Sequence, residues 1–153
     1  MLSDYISAHQ IRLQIAVRDW REAVLAGGEL LVEAKICEPR YVDAMIQVVE
    51  KLGPYMVLAP GIALAHARPE DGVLRVGMSI VTLSTPVDFG SEANDPVKLV
   101  ISFGGVDKNS HVGMLQELAI FLTEQSNQDL LTSATDVEAV LRAFRDESQG
   151  EKA

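Results

Sequence analysis

Residues 53–73, GPYMVLAPGIALAHARPEDGV, mark the change from helical to extended sequence that decides the fold. Before this stretch apolar residues recur with a helical period, whereas beyond Pro54 they form short runs separated by Gly and Pro. One such run ends at His66, and Arg68 follows two positions later. A neutral imidazole is among the few side chains that can act as a nucleophile near pH 7, so His66 is the leading candidate for chemistry. The role to be decided is nucleophile, base, ligand or bystander.

Two helices are predicted ahead of this stretch. Apolar residues of 19–34 fall on one helical face, and charged residues lie opposite. The Gly27-Gly28 pair costs about 1 kcal/mol per glycine relative to Ala in a helix, so it predicts close packing of this helix against another element. Pro39 suits the first turn of a second helix, which ends before Pro54.

Strands are predicted after Pro54, in short runs bounded by Gly, Pro, Asn and Asp. These runs cover residues 55–58, 62–65, 76–83 and 97–103. Pro60 and Pro86 are expected between the strands or at their edges, where a missing N–H does no harm.

Two further helices are predicted towards the C-terminus. Asn109 or Ser110 is expected to cap the first of them. Its predicted inward stripe has helical spacing and consists of His111, Leu115, Leu118 and Leu122. Thr135 and Glu138 form a T-x-x-E capping box that opens the second helix, and residues 146–153 are predicted to be a frayed polar tail.

This order of elements predicts an α/β fold, a three-layer α/β/α sandwich with a mixed sheet of about five strands and helices on both faces. One domain is expected over residues 1–147, followed by the polar tail 148–153. The order is not a regular βαβ alternation, and neither GxGxxG nor GxxxxGK[ST] occurs. A doubly wound nucleotide-binding sheet is therefore disfavoured.

Composition narrows the function further. The 13 basic and 22 acidic residues give a net charge of −9, which disfavours nucleic acid as a partner. The N-terminus lacks a basic segment followed by an apolar block, and the longest apolar run is too short to span a membrane, so we expect a soluble cytoplasmic protein. Cys37 is the one cysteine, and we expect a reduced thiol packed at a helix end rather than a disulfide or a zinc ribbon.

Three side chains form the predicted site. Because residues two apart on a strand share a face, Arg68 could reach a charged group attached to His66, with a guanidinium fork that suits phosphoryl oxygens. His111 is placed at a helix N-terminus, where free N–H groups attract anions and the dipole favours a neutral imidazole, so it could act as an electrostatic clamp. The alternatives are a half-buried strand-end His66 beside a solvated Arg68, and a His111 that merely packs or caps. His9 lies in a polar segment and is predicted to be a surface residue.

Other chemistry has little support in the sequence. His66, His111 and Asp107 could bind a metal only if the fold brought them together, because no HxxxH or HExxH spacing is present. No metal site is therefore predicted. No GxSxG motif accompanies the serines, so nothing specific indicates a hydrolase.

With these residues identified, the chain resembles the IIA components of the bacterial phosphoenolpyruvate:sugar phosphotransferase system. The similarity is to the mannitol/fructose superfamily, and within it most to the ascorbate-type IIA. It is carried by residues 53–73, by NDPVKLVISFGGVD at 94–107 and by NSH at 109–111. It extends over nearly the whole chain, from the helix of Trp20 to the helix of Phe144.

This resemblance implies a phosphocarrier function. His66 would receive a phosphoryl group on its tele nitrogen from the phosphohistidine of HPr and pass it to a cysteine of a cognate IIB protein. The membrane IIC protein would be only an indirect partner. His111 would stabilise the phosphoryl group and Arg68 would balance its charge. No cofactor and no metal are implied, and a homodimer stays open because dimers are common among such domains.

The sequence departs from the mannitol branch at two places. Ala65 and Ala67 flank His66 where that branch tends to have Pro and Gly, and Val49-Glu50 stands where it has Arg-Glu. Arg68 is the local substitute for the missing arginine, which favours the ascorbate branch. The alternative function is a regulatory IIA protein of the nitrogen type, which acts through phosphorylation-dependent protein binding. The sugar itself is not predicted, because the membrane component binds it.

Overall fold

A mixed sheet lies at the centre of the structure, a computed structural model that describes residues 2–107 and 109–152, with side chains as far as residue 146. Over these residues the sheet has five strands, which are β1 (Ile11–Ile15), β2 (Val57–Ala59), β3 (Ile62–Ala65), β4 (Gly77–Val87) and β5 (Val97–Gly104). Their spatial order is β1-β4-β5-β3-β2. β1/β4 and β3/β5 are parallel pairs, whereas β4/β5 and β2/β3 are antiparallel. The predicted mixed sheet of about five strands is confirmed.

Helices cover both faces of this sheet. They are α1 (Trp20–Glu33), α2 (Pro39–Leu52), α3 (Val112–Thr123), α4 (Gln125–Ser133) and α5 (Val137–Lys152). β4 shows how the two faces are separated, because successive side chains of a strand point to opposite sides. Val81 and Leu83 pack in the cluster that contains α1 and α2, whereas Met78 and Ile80 pack with α3, α4 and α5. The predicted three-layer α/β/α sandwich is confirmed.

The first strand is missing from the sequence-based prediction, which begins with two helices. A signal for β1 exists, since Ile11, Leu13 and Ile15 alternate with polar residues. The strand has only five residues, and its pairing with β4 is interrupted by an irregularity at Gln14, whose φ is 55°. The Gln14 N–H donates instead to the hydroxyl of Thr82 at 2.8 Å. So short a strand depends on a partner far along the chain, which local sequence does not reveal.

The four predicted strands are present with small shifts at their ends. β4 is the one that differs most, because it continues to Val87 and thereby contains Pro86. This part of the strand follows a register irregularity after Thr82, and Pro86 is exposed. A proline can occupy such a position because no ladder bond is demanded of its nitrogen.

The region after β5 contains two corrections. α3 begins at Val112 with His111 at the N-cap position and no side-chain cap, so neither Asn109 nor Ser110 caps it. Of the predicted inward stripe, Leu118 is buried and Leu115 and Leu122 pack partly buried against the same core, whereas the buried Met114 and Phe121 were not predicted. These two residues were missed because apolar side chains occur on most sides of this helix, so its apolar face is not unique in sequence. α4 was not predicted, and its polar sequence buries only Leu131 among the described residues.

The last helix also differs at both ends. Asp136 caps α5 by accepting the Glu138 N–H on its carboxylate at 3.1 Å, so the cap is not Thr135. The helix runs to Lys152, through the segment that was predicted to fray from residue 146. Glu, Gln and Lys are good helix formers, so a polar composition indicates exposure rather than loss of helix. Ala153 lies outside the described residues.

The predicted close packing at the glycine pair is confirmed. A Cβ on Gly27 would lie 2.5 Å from the Ser102 hydroxyl, and one on Gly28 would lie 2.6 Å from a methyl of Val42 in α2. The Gly27 carbonyl also accepts a hydrogen bond from Ser79 at 2.9 Å. These glycines therefore set how closely α1 approaches both the sheet and α2.

Gly28→Ala is expected to lower the free energy of unfolding by about 1–2 kcal/mol. Overpacking against the stiff Val42 side chain costs about 2–3 kcal/mol, and helix propensity returns about 1 kcal/mol. Denaturant unfolding measures the difference. The control is Gly113→Ala in α3, where the nearest atom to a new Cβ is the Tyr5 hydroxyl at 3.9 Å. This variant should be neutral or more stable by about 0.4–1 kcal/mol, and equal destabilisation of both variants would contradict the packing explanation.

Candidate functional site

The parallel pairing of β3 with β5 places His66 at one edge of the sheet. Ala65 lies opposite Ser102, so the next residues of the two strands, His66 and Phe103, are neighbours. Their rings are stacked, with centroids 4.9 Å apart and planes at 17°. The carboxyl ends of parallel strands are where α/β proteins usually bind ligands. The sheet register thus presents the imidazole at a favourable edge.

A backbone hydrogen bond distinguishes the two nitrogens of the His66 ring. Nδ1 lies 3.0 Å from the Leu64 carbonyl oxygen. Because a carbonyl can only accept, this bond assigns the proton of the neutral ring to Nδ1. The free lone pair is then on Nε2. An imidazole held in this way is oriented for chemistry at Nε2.

A cleft of about 410 Å³ lies beside His66. One wall is formed by α2, and the remaining lining comes from Tyr55 and from the segment after β3. The Tyr55 ring meets the His66 ring edge-on, with centroids 6.1 Å apart. His66 is half-buried, and Leu52 and Tyr55 at the rim are exposed. The imidazole is therefore held by neighbours yet accessible from outside.

Arg68 lines the same cleft as His66, but not for the predicted reason. β3 ends at Ala65, so the two residues do not share a strand face; Arg68 instead precedes a short 3-10 helix, Pro69–Asp71. Its side chain is 79% exposed and its Nε lies 3.7 Å from Glu70 and 3.8 Å from Asp71 carboxylate oxygens. The positive charge at the cleft is thus partly balanced by neighbouring carboxylates.

Lys51 is a second cation of the cleft, which the sequence-based prediction missed. It lies in the last turn of α2, where a basic residue also complements the helix dipole. Its distance in sequence from His66 gave no reason to connect the two residues. The helical stripe of α2 could have indicated which side faces the strand carrying His66.

His111 reaches this edge of the sheet from the loop after β5. Its ring centroid lies 5.8 Å from that of Phe103, so Phe103 contacts both histidines. Its Nδ1 is buried and has no hydrogen-bond partner among the described residues. A Cβ on Gly105 would lie 2.6 Å from this nitrogen, so the glycine makes room for the ring. The structure thus brings both predicted histidines, His66 and His111, next to one phenylalanine ring.

Asp107 organises the turn that leads to His111. Its carboxylate accepts the N–H groups of Asn109 at 2.9 Å and Ser110 at 2.7 Å. These two hydrogen bonds hold the pKa of the carboxyl below its usual value. Among the described residues no three His, Cys, Asp or Glu side chains are grouped as a metal site.

Two other candidates lie away from the site. Cys37 is buried as expected, and burial raises the pKa of its thiol to about 11. The reactive thiolate is therefore scarce near neutral pH. His9 is exposed, as predicted, and lines a different depression near Arg75. No helix in the described part of the chain is long and apolar enough to cross a membrane.

Fold and site together define an α/β sandwich protein in which His66 lines an open cleft and His111 lies near the same phenylalanine ring. A family model described as "Phosphoenolpyruvate-dependent sugar phosphotransferase system, EIIA 2" matches residues 4–147. The chain belongs to this family. It is 44% identical over 135 residues to the ascorbate-specific PTS system EIIA component of Salmonella choleraesuis (strain SC-B67), with 87% of each chain covered.

Solved structures show the same similarity. The mannitol-specific cryptic phosphotransferase enzyme IIA CmtB from Escherichia coli matches with a TM-score of 0.85 and 33% identity, over 94% of this chain and 97% of that one. The complex of enzyme IIAMTL and phosphorylated enzyme IIBMTL from Escherichia coli contains a chain that matches with a TM-score of 0.80 and 31% identity, over 92% and 97%. The fold predicted from the resemblance is confirmed by these neighbours.

Proton–nitrogen correlation spectra of the imidazole rings should show His66 as the Nδ1–H tautomer when it is neutral. The reason is the hydrogen bond from Nδ1 to the Leu64 carbonyl, which the other tautomer cannot donate. The exposed ring of His9 is the internal reference. A His66 Nδ1 with the nitrogen shift of an unprotonated, pyridine-like atom would contradict the assignment.

Proposed function

We propose that this protein is a cytoplasmic phosphocarrier of the sugar phosphotransferase system, with His66 as the phosphoryl acceptor. Phosphorylated HPr would be the donor, and a cysteine of a cognate IIB protein the next acceptor. The observation that carries the proposal is the Nδ1 hydrogen bond of His66, which leaves the Nε2 lone pair available in a half-buried ring beside the cleft. Family membership over residues 4–147 supports both the carrier role and a single domain over 1–147.

The transfer is a nucleophilic substitution at phosphorus. The Nε2 lone pair of His66 forms the new N–P bond, while the P–N bond of the donor phosphohistidine breaks and its electron pair returns to the donor ring. The Nδ1 proton stays in place, so the phosphorylated imidazole carries a positive charge. The Leu64 carbonyl accepts a hydrogen bond from this proton and stabilises that charge. In the second step a thiolate attacks phosphorus, and the electron pair returns to Nε2.

Such a transfer mainly requires that the negative charge on the phosphoryl oxygens be stabilised. Its transition state is loose, so catalysis depends on positioning and electrostatics. His111 can donate from Nε2, because its buried Nδ1 faces no acceptor among the described residues and the proton of the neutral ring is better placed on the other nitrogen. The N-terminus of α3 adds free N–H groups. Arg68 and Lys51 contribute positive charge at the cleft.

Two partner proteins must reach the same nitrogen in turn, and the surroundings of His66 suit this. Leu52 and Tyr55 are exposed apolar side chains at the cleft rim, and Val106 is exposed in the loop before His111. Apolar exposed groups around a half-buried reactive atom fit small, transient interfaces. The neighbouring complex of a IIA protein with phosphorylated IIB supports a IIB partner for this chain.

Ascorbate or a related carbohydrate is the proposed transported substrate of the system in which this protein carries the phosphoryl group. Support comes from the 44% identity to an ascorbate-specific EIIA component over most of both chains. The ascorbate branch was also favoured by Val49 in the position of the mannitol-branch arginine, for which Arg68 is the local substitute. The regulatory, nitrogen-type alternative has no comparable support.

His66→Gln is expected to abolish phosphorylation. Incubation with phosphoenolpyruvate, Enzyme I and HPr should place one acid-labile, base-stable phosphoryl group on the wild-type protein and none on the variant, because the acceptor lone pair is lost. Radiolabel incorporation measures the outcome. His9→Gln, which removes an exposed histidine away from the cleft, should be labelled like the wild type.

Equal labelling of His66→Gln and wild type would refute the acceptor assignment. The transported substrate is tested in the same reaction by adding a IIB protein of the ascorbate type or one of the mannitol type. Faster passage of the label to the ascorbate-type cysteine is expected. Preference for the mannitol-type protein would contradict the proposed transported substrate while leaving the acceptor assignment intact.

His111→Ala is expected to slow phosphoryl transfer by about 10²–10³, the usual effect of removing one transition-state donor. Arg68→Gln should slow it by about tenfold or less, because the guanidinium is largely exposed and shares its charge with Glu70 and Asp71. Rapid-quench measurement of label transfer from phosphorylated HPr compares the two variants. A larger effect of Arg68→Gln would reverse the proposed roles.

A further inference from the structure

Tyr41 is a fully buried polar side chain on the side of α2 that faces the sheet, with 0% exposure. Its hydroxyl donates a hydrogen bond to the Phe103 carbonyl at 2.7 Å and accepts one from the Ala67 N–H at 3.0 Å. Burial raises the pKa of the phenol to about 12, so the hydroxyl keeps the proton that it donates. Both bonds connect to the backbone of residues that adjoin or contact His66.

The two hydrogen bonds of the Tyr41 hydroxyl lie just beyond the end of the ladder between β3 and β5. β3 stops at Ala65, and its last residue pair with β5 is Ala65 opposite Ser102. One residue further, the ladder no longer joins the chain that carries His66 to the chain that carries Phe103. The Tyr41 hydroxyl spans that gap, since it holds Ala67 on one side and Phe103 on the other. The Tyr41 hydroxyl thus connects the two backbone segments that carry the stacked rings of His66 and Phe103.

We propose that Tyr41 is a positioning residue for phosphoryl transfer, which sets the placement of the His66 ring against Phe103 and so the direction of Nε2. The inference rests on the proposed role of His66 as phosphoryl acceptor. In-line transfer requires the attacking lone pair to be aligned with phosphorus, and misplacement by about 1 Å can cost about 10²-fold in rate. α2 also supplies a wall of the cleft, including Lys51, so the same residue fixes the wall relative to the acceptor.

A role in packing alone is the competing explanation, because a buried tyrosine ring also fills space between α2 and the sheet. The ring does lie close to the sheet, since a Cβ built on Gly104 of β5 would be 3.7 Å from Cζ of Tyr41, which is an ordinary van der Waals contact. Tyr41→Phe separates the two roles, since it keeps the ring and removes the hydroxyl. Packing predicts that only stability changes, whereas positioning predicts a change in the chemistry of His66.

Tyr41→Phe is expected to slow label transfer from phosphorylated HPr by about 10–10²-fold, with the half-saturating HPr concentration changed by less than about twofold. The docking side chains at the cleft rim are untouched, so binding should persist. The nitrogen shifts of the His66 ring should also move. The matched control is Thr82→Val, which removes a buried hydroxyl that accepts the Gln14 N–H of the edge strand β1 at 2.8 Å. This control should lose stability yet keep the wild-type transfer rate and His66 shifts.

A wild-type transfer rate in Tyr41→Phe would overturn the proposal, and so would equal slowing by Thr82→Val. If Tyr41→Phe does not fold, amide hydrogen exchange of the wild-type protein tests the same bond. The Ala67 N–H should be protected by about 10²-fold or more relative to an open segment, although it lies outside the strands. Exchange at the rate of an unstructured amide would overturn the proposal. Failure of the wild type to become labelled would instead refute the proposed function, so the two failures are distinguishable.

Discussion

Ala65 lies opposite Ser102 in the parallel pairing of β3 with β5, and most of the functional geometry follows from this register. It stacks His66 on Phe103, and the loop after β5 brings the His111 ring within 5.8 Å of the same phenylalanine ring, centroid to centroid. A shift of one residue would turn every side chain of β3 to the opposite face and bury the imidazole among the wrong neighbours. The register is itself secured by apolar burial on both faces of the sheet, where Ala63 and Val100 face one core and Ile62 and Leu99 face the other.

Close approach of the helices is the second constraint on the site. Gly27 and Gly28 let α1 lie against Ser102 and Val42 without side chains between them. α2 is thereby held close to the sheet, where Tyr41 reaches the ends of β3 and β5. Packing far from the cleft thus determines the position of the wall that carries Lys51. The cleft stays open to solvent because His66 is only half-buried, whereas the Tyr41 side chain that supports it is fully buried.

Hydrogen bonding distinguishes the two histidines. Nδ1 of His66 has a carbonyl partner, whereas Nδ1 of His111 is buried without one among the described residues. This difference supports the proposal that one imidazole attacks through Nε2 while the other donates a hydrogen bond from that nitrogen. The difference in hydrogen bonding does not depend on Arg68, whose guanidinium is exposed and lies near two carboxylates.

Most of the helices and strands, the close packing at Gly27 and Gly28 and the choice of His66 as the leading candidate came from local patterns, because periodicity and turn residues act over a few positions. β1 and α4 did not, since a five-residue strand and a polar helix owe their structure to distant partners. Arg68 was placed at the cleft for the wrong reason, because the end of β3 depends on where pairing stops rather than on spacing. By itself the sequence determined the class of fold and the residue that could carry chemistry. Only the tertiary structure decided which nitrogen of His66 is free and how Phe103, Tyr41 and Lys51 surround it, because those contacts join segments that only long-range packing brings together.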